Sequence, residues 1–148
     1  LMLKAMILGC GRIAGGMNHT LSTHGGAYQA RDGVSIVACI DADQERSHSF
    51  AEAYRCEAEK DLHTAIEKHQ PDIISVCTPD ITHFSITEQI FQAKHRPKVV
   101  FLEKPACRTQ EELDRLIGLS AQVGVPIVVN HSRRFDQHLG TFERRNQR

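Results

Sequence analysis

The chain has 148 residues, and its 18 Lys and Arg balance 18 Asp and Glu, so the formal net charge is zero and argues against a nucleic-acid footprint. No apolar run approaches the ~20 residues of a membrane span, and the N-terminus lacks a charged segment leading into a signal-like apolar one. The five cysteines are odd in number and contain no C-x-x-C pair, which reads as reduced thiols in a cytoplasmic protein. This length suits a single domain with a core large enough to fold unaided.

Along the chain, apolar runs of strand length alternate with amphipathic stretches of helix length, the pattern of a parallel sheet covered on both faces. Ala5–Leu8 is the first strand. It runs directly into Gly9-Cys10-Gly11-Arg12-Ile13-Ala14, a G-x-G-x-x-A stretch that reads as a strand turning through glycines into a helix. The first glycine allows the tight turn, the second lets backbone N–H groups approach phosphate, and small Ala14 lets the helix lie on its strand. The second strand, Ser35–Ile40, ends at Asp41, whose carboxylate is placed to accept bonds from the adenosine-ribose hydroxyls of a dinucleotide. The other reading makes Asp41 or Asp43 the N-cap of the next helix. Spacing to Asp41 exceeds the usual ~20 residues, which predicts an extended first connection around Gly15-Gly16 and Gly25-Gly26.

A helix is expected from Asp43 to Tyr54, then a short strand near Cys56–Ala58, and a helix capped by Asp61 and stopped by Pro71. A fourth strand over Ile73–Cys77 precedes a helix from about Thr82 to Lys94, and a fifth strand covers Val99–Leu102. Thr109-Gln110-Glu111-Glu112 is a capping box opening a helix that Gly124 ends, and Ile127–Asn130 is the last strand. Six strands with helices between them give a doubly wound, mostly parallel six-stranded sheet, a Rossmann dinucleotide-binding domain over residues 1–131. Residues 132–148, rich in arginine, read as the start of a connection to a missing substrate domain or as a solvated helix, with an anion-binding arm as the rival. The nine histidines form no H-x-x-x-H, H-E-x-x-H or Cys/His cluster, so no metal is expected.

Three further motifs sharpen this reading: Val76-Cys77-Thr78-Pro79 followed by His83, Leu102-Glu103-Lys104-Pro105, and the Arg134-Phe135 pair. With the glycine turn, and in this order, they resemble the N-terminal domain of the Gfo/Idh/MocA family, over about Leu3 to Phe135. The resemblance implies NAD- or NADP-dependent oxidation or reduction of a carbinol carbon in a sugar, polyol or related small molecule. It makes Lys104 the active-site lysine, since a hydride leaves carbon only as the hydroxyl loses its proton, and an ammonium beside that oxygen can stabilise the charge and relay the proton. The implied cofactor-binding set is Gly9, Gly11, Arg12, Ile13, Ala14, Asp41, Thr78, Pro79, His83, Glu103, Lys104, Asn130 and Arg134.

Within that set, Glu103 is expected either to pair with Lys104 or to bond groups on the nicotinamide side, and Pro105 fixes the turn, often through a cis bond in this family. His83 either faces the cofactor or is a first-turn histidine satisfied within the fold. NAD is favoured over NADP because Asp41 would meet a 2′-phosphate as like charge. Lys94-His95-Arg96-Pro97-Lys98 departs from the family's usual Gly-Lys-His before the fifth strand. The family's second domain, which carries most of the substrate pocket and commonly the contacts of a homo-oligomer, has no counterpart here, so the isolated chain is expected to bind nucleotide without turnover. A stand-alone dinucleotide-binding or redox-sensing module is the alternative; retention of Lys104 favours the enzyme.

Overall fold

The computed structural model describes residues 1–18 and 20–131. Six strands, β1 (Leu3–Leu8), β2 (Val34–Ile40), β3 (Glu57–Glu59), β4 (Ile73–Val76), β5 (Val99–Glu103) and β6 (Ile127–Asn130), form one sheet in the order β3-β2-β1-β4-β5-β6. Every pairing is parallel. Helices α1 (His24–Gln29), α2 (Gln44–Tyr54), α3 (Leu62–His69), α4 (His83–Gln92) and α5 (Gln110–Val123) connect them.

Alternation along the strands divides the apolar side chains between two cores. Met6, Leu8, Ile74, Val76, Val100 and Leu102 face one way, against Ile66 of α3, Ile90 and Phe91 of α4 and Leu116 of α5. Ile7 and Cys39 face the other way, against Phe50, Ala51 and Tyr54 of α2, with the Phe50 and Tyr54 rings stacked at 4.4 Å. Burial on both sides is what a parallel sheet with helical crossovers requires.

The helix ends follow the sequence chemistry. Asp43 Oδ1 accepts the N–H groups of Glu45 and Arg46 at 3.0 and 3.2 Å, Asp61 Oδ1 accepts that of Thr64 at 2.8 Å, and Thr109 Oγ1 accepts that of Glu112 at 3.2 Å. Glu112 returns the bond one residue earlier than in a standard capping box, to the N–H of Arg108 at 2.9 Å. Gly124 closes α5 in the left-handed conformation at φ 71°.

The order in which strands are added reverses between β1 and β4, where the connections leave the sheet in opposite senses and a crevice opens at the carboxyl ends of the strands. One expectation fails beside it. The glycine turn does not lead into a regular helix: residues 12–15 make a single turn, closed by Gly16 N–H on Gly11 O at 2.9 Å, and the first helix begins only at His24. Gly15 takes φ 106°, outside the helical range, and the paired glycines give a helix little local support. The Lys94–Lys98 segment lies at the opposite, amino edge of the sheet. There Glu67 Oε1 accepts the N–H groups of Lys94 and His95 at 2.8 and 3.0 Å, and the Arg96 guanidinium bonds Ala93 O.

Candidate functional site

A cleft of about 780 Å³ occupies the switch point. Its walls are the glycine turn (Gly9, Gly11), the end of β2 with the start of α2 (Asp41, Ala42, Arg46), Lys60 and Asp61, and the end of β4 (Thr78, Pro79, Thr82).

Gly9 sits at φ 82°, and a Cβ there would lie 2.7 Å from both Cys77 O and Thr78 N. Only glycine lets the turn pass this close to the tip of β4. Gly11 is the converse: a Cβ there would meet nothing within 4 Å, because it would project into the cleft. The backbone at Gly11 is thus bare toward the space that a ligand would fill.

Asp41 is joined to that turn. Its Oδ2 accepts the Cys10 N–H at 2.7 Å and its Oδ1 the Asp43 N–H at 2.8 Å, with the side chain only 8% exposed. Of the two acids, Asp43 caps the helix and Asp41 does not. Arg46 brings its guanidinium to 3.7 Å from Asp41 Oδ2 and 3.6 Å from Asp43 Oδ2.

On the β4 side, Thr82 Oγ1 lies 2.8 Å from Thr78 Oγ1 and 2.7 Å from Pro79 O, which fixes the Thr-Pro turn against the start of α4. His83 is 1% exposed and lines no part of the cleft. Its Nδ1 lies 2.7 Å from Pro105 O and its Nε2 2.8 Å from Thr78 O, so it clasps the Thr-Pro turn to the Glu-Lys-Pro turn. This is the first-turn-histidine alternative: both ring nitrogens face backbone carbonyls inside the fold, and a neutral ring donates to one of them at a time.

The Lys104–Pro105 peptide bond is cis, and the Lys104 side chain is exposed. Glu103 does not pair with it. Glu103 Oε1 instead lies 2.8 Å from His24 Nε2 and 2.5 Å from Asn130 Nδ2. Burial pushes the Glu103 carboxyl up, but the bonds from His24 and Asn130 and the Lys104 backbone N–H together hold it below the ordinary carboxylate range.

The remaining residues of the expected set are placed as follows. Arg12 and Ile13 line a separate depression of about 470 Å³ with Asn18, Ser22 and Thr23. Ala14 is fully buried in the α2-side core, so it serves packing. Arg134 and residues 132–148 lie outside the described residues. The fold also assembles three potential metal ligands that the sequence pattern did not signal, Glu57, Glu59 and His69, with ligand atoms within 4.8 Å of one another. The Lys68 ammonium already pairs with both carboxylates there: its Nζ lies 2.6 Å from Glu57 Oε2 and 2.8 Å from Glu59 Oε1. Sequence reasoning missed His24, because its partner Glu103 is 79 residues away and no local spacing signals the pair.

A 3-2-1-4-5-6 parallel sheet with a glycine turn and an acid-tipped second strand around the switch-point cleft defines a dinucleotide-binding α/β domain. Residues 3–131 match the Gfo/Idh/MocA oxidoreductase family, NAD-binding Rossmann fold, and the chain belongs to that family. Myo-inositol 2-dehydrogenase of Thermotoga maritima is 29% identical over 137 residues, covering 92% of this chain and 38% of that protein. Among solved structures, the WlbA dehydrogenase from Chromobacterium violaceum in complex with NADH and UDP-GlcNAcA superposes with a TM-score of 0.84 at 20% identity, over 97% of this chain and 39% of that one. KijD10, a 3-ketoreductase from Actinomadura kijaniata in complex with NADP, gives 0.83 at 19% identity, over 99% and 44%. The chain spans 28–38% of the length of the curated relatives it matches. Among the described residues, no helix is long and apolar enough to cross a membrane.

Proposed function

We propose that the chain is the cofactor-binding half of an NAD(P)-dependent oxidoreductase that acts on a secondary alcohol or ketone of a sugar or polyol, with NAD preferred. The observation that carries this reading is the bare backbone at Gly11 facing a cleft that the neighbouring Asp41 also lines. In this reading, the N–H groups of residues 11–14 approach the pyrophosphate, the lone pairs left on Asp41 accept from the adenosine ribose, and Thr78 and Pro79 border the nicotinamide end. When bound, the nicotinamide supplies the hydride acceptor or donor.

NAD is preferred because a 2′-phosphate would meet the Asp41 carboxylate, and the Arg46 charge that could offset this is shared between Asp41 and Asp43. Lys104, exposed at the end of β5, stabilises negative charge on the substrate oxygen and takes or returns its proton. Glu103, ionised at the end of β5 and bonded to His24 and Asn130, anchors the turn that carries this lysine. The thiols of buried Cys39 and half-buried Cys56 do not favour a redox-sensing module: the hydrogen bond with Cys10, against an opposing one with Cys56, pushes Cys39 up to about 12, and the bond with Cys39 pushes Cys56 above the ordinary thiol range.

Orientation of substrate against cofactor can be worth roughly 7–11 kcal/mol, and a wall of the site on one side supplies little of it. Residues 1–148 alone are therefore expected to bind NADH, seen as a saturable change in its fluorescence, and to show no turnover by NADH absorbance with inositols, hexoses and nucleotide-sugars. Robust turnover abolished by Lys104→Ala would show that this domain is a complete enzyme and overturn the two-domain reading. Absence of any NADH response would overturn the cofactor reading itself.

A further inference from the structure

Five polar side chains form one hydrogen-bonded line from α1 across β4, β5 and β6, on the sheet face opposite α4 and α5. The Tyr28 hydroxyl lies 2.6 Å from Ser75 Oγ, which lies 2.9 Å from His24 Nδ1. His24 Nε2 and Asn130 Nδ2 then converge on Glu103 Oε1. Burial pushes the Tyr28 phenol up to about 12, against the opposing effect of its bond to Ser75, so the phenol keeps its proton. With a neutral imidazole the protons run one way: Tyr28 O–H to Ser75 Oγ, Ser75 O–H to His24 Nδ1, and His24 Nε2–H to the Glu103 carboxylate.

Both ends of His24 are engaged at the cofactor site. Its backbone N–H donates to Ile13 O at 3.0 Å, and that of Gly25 donates to Ala14 O at 2.8 Å, which fixes the residue to the phosphate turn. Its side chain holds Glu103, whose carboxylate also accepts the backbone N–H of Lys104. We propose that His24 is a positioning residue for Lys104: it couples the glycine turn to the Glu-Lys-Pro turn and, opposite the His83 clasp on Pro105, sets where the Lys104 ammonium projects. The proposal rests on the reading of Lys104 as the active-site lysine.

The test observes Lys104 directly, without cofactor. Lysines of residues 1–148 are reductively dimethylated with ¹³C-formaldehyde, the Lys104 signal is assigned with Lys104→Arg, and its chemical shift and pH titration are followed in His24→Leu and His24→Gln. The expected result is that His24→Leu displaces both for Lys104 and leaves Lys60 unmoved, and that His24→Gln, whose amide can still donate to Glu103, restores most of the parent behaviour. NADH affinity should fall several-fold in His24→Leu and recover in His24→Gln. A Lys104 signal and titration identical to the parent in a folded His24→Leu would overturn the proposal, leaving His24 a core residue. Should His24→Leu not fold, Glu103→Gln takes its place: it must displace the Lys104 signal if the coupling runs through the carboxylate, and an unmoved signal overturns the proposal. Because no cofactor is present, these signals are independent of whether Lys104 transfers protons. The reading beneath the proposal fails separately, if a longer protein carrying the substrate domain keeps full activity with Lys104→Ala.

Discussion

Gly9 and Gly11 are two residues apart and respond to substitution in opposite ways. A side chain at Gly9 meets the backbone of Cys77 and Thr78 and must adopt positive φ, so Gly9→Ala is expected to destabilise the fold by about 1–3 kcal/mol or more, read as a lower urea midpoint. At Gly11 the added atoms enter empty cleft, so Gly11→Val should keep the parent unfolding curve and lose nucleotide binding. A parent-like Gly9→Ala would mean that the turn is not packed as described. These two positions were legible in the sequence because their demands are local. The histidine contacts were not, since Pro105 and Glu103 reach His83 and His24 only through strand order, across 22 and 79 residues.

Elements were most legible where a cap chemistry marks an end. Asp43, Asp61 and Thr109 all cap the helices assigned to them, and Thr109→Ala should lower stability by about 1 kcal/mol, measured by thermal unfolding. An unchanged midpoint would show that the Glu112 bond to Arg108 suffices to hold α5. The start of the first helix was misread for the complementary reason. The glycine motif alone pointed to a helix at Ala14, whereas Thr23, whose Oγ1 accepts the Gly26 N–H at 3.1 Å, caps a helix that begins only at His24, within the extended connection that the spacing to Asp41 predicts. Strand bounds shifted by a residue or two, as with β3 at Glu57–Glu59, because pairing with β2 rather than local composition decides where a three-residue strand begins.

For the molecule as a whole, three partly buried carboxylates link stability to pH. Lys68 and then His69 hold Glu59 below its ordinary range, Lys98 and the Lys4 N–H hold Asp72 below its own, and His24 and Asn130 outweigh burial at Glu103. Each binds protons less readily in the folded chain than in the unfolded one. Their contribution is therefore full above the ordinary carboxylate range of ~4 and is lost as the pH falls below it through the lowered folded values. Urea midpoints should be similar at pH 7 and 6 and fall steadily below pH 4; a midpoint that rises on acidification would contradict these assignments.

The central claim, that the switch-point cleft holds a nicotinamide dinucleotide with Asp41 choosing NAD, is tested most directly by isothermal titration calorimetry of residues 1–148 with NAD and NADP. The account predicts saturable one-site binding, tighter for NAD than for NADP, with the difference narrowed in Asp41→Asn and all binding lost in Gly11→Val at an unchanged unfolding curve. Tighter NADP binding would contradict the role given to Asp41, and parent-like binding by folded Gly11→Val would contradict the placement of the cofactor in this cleft.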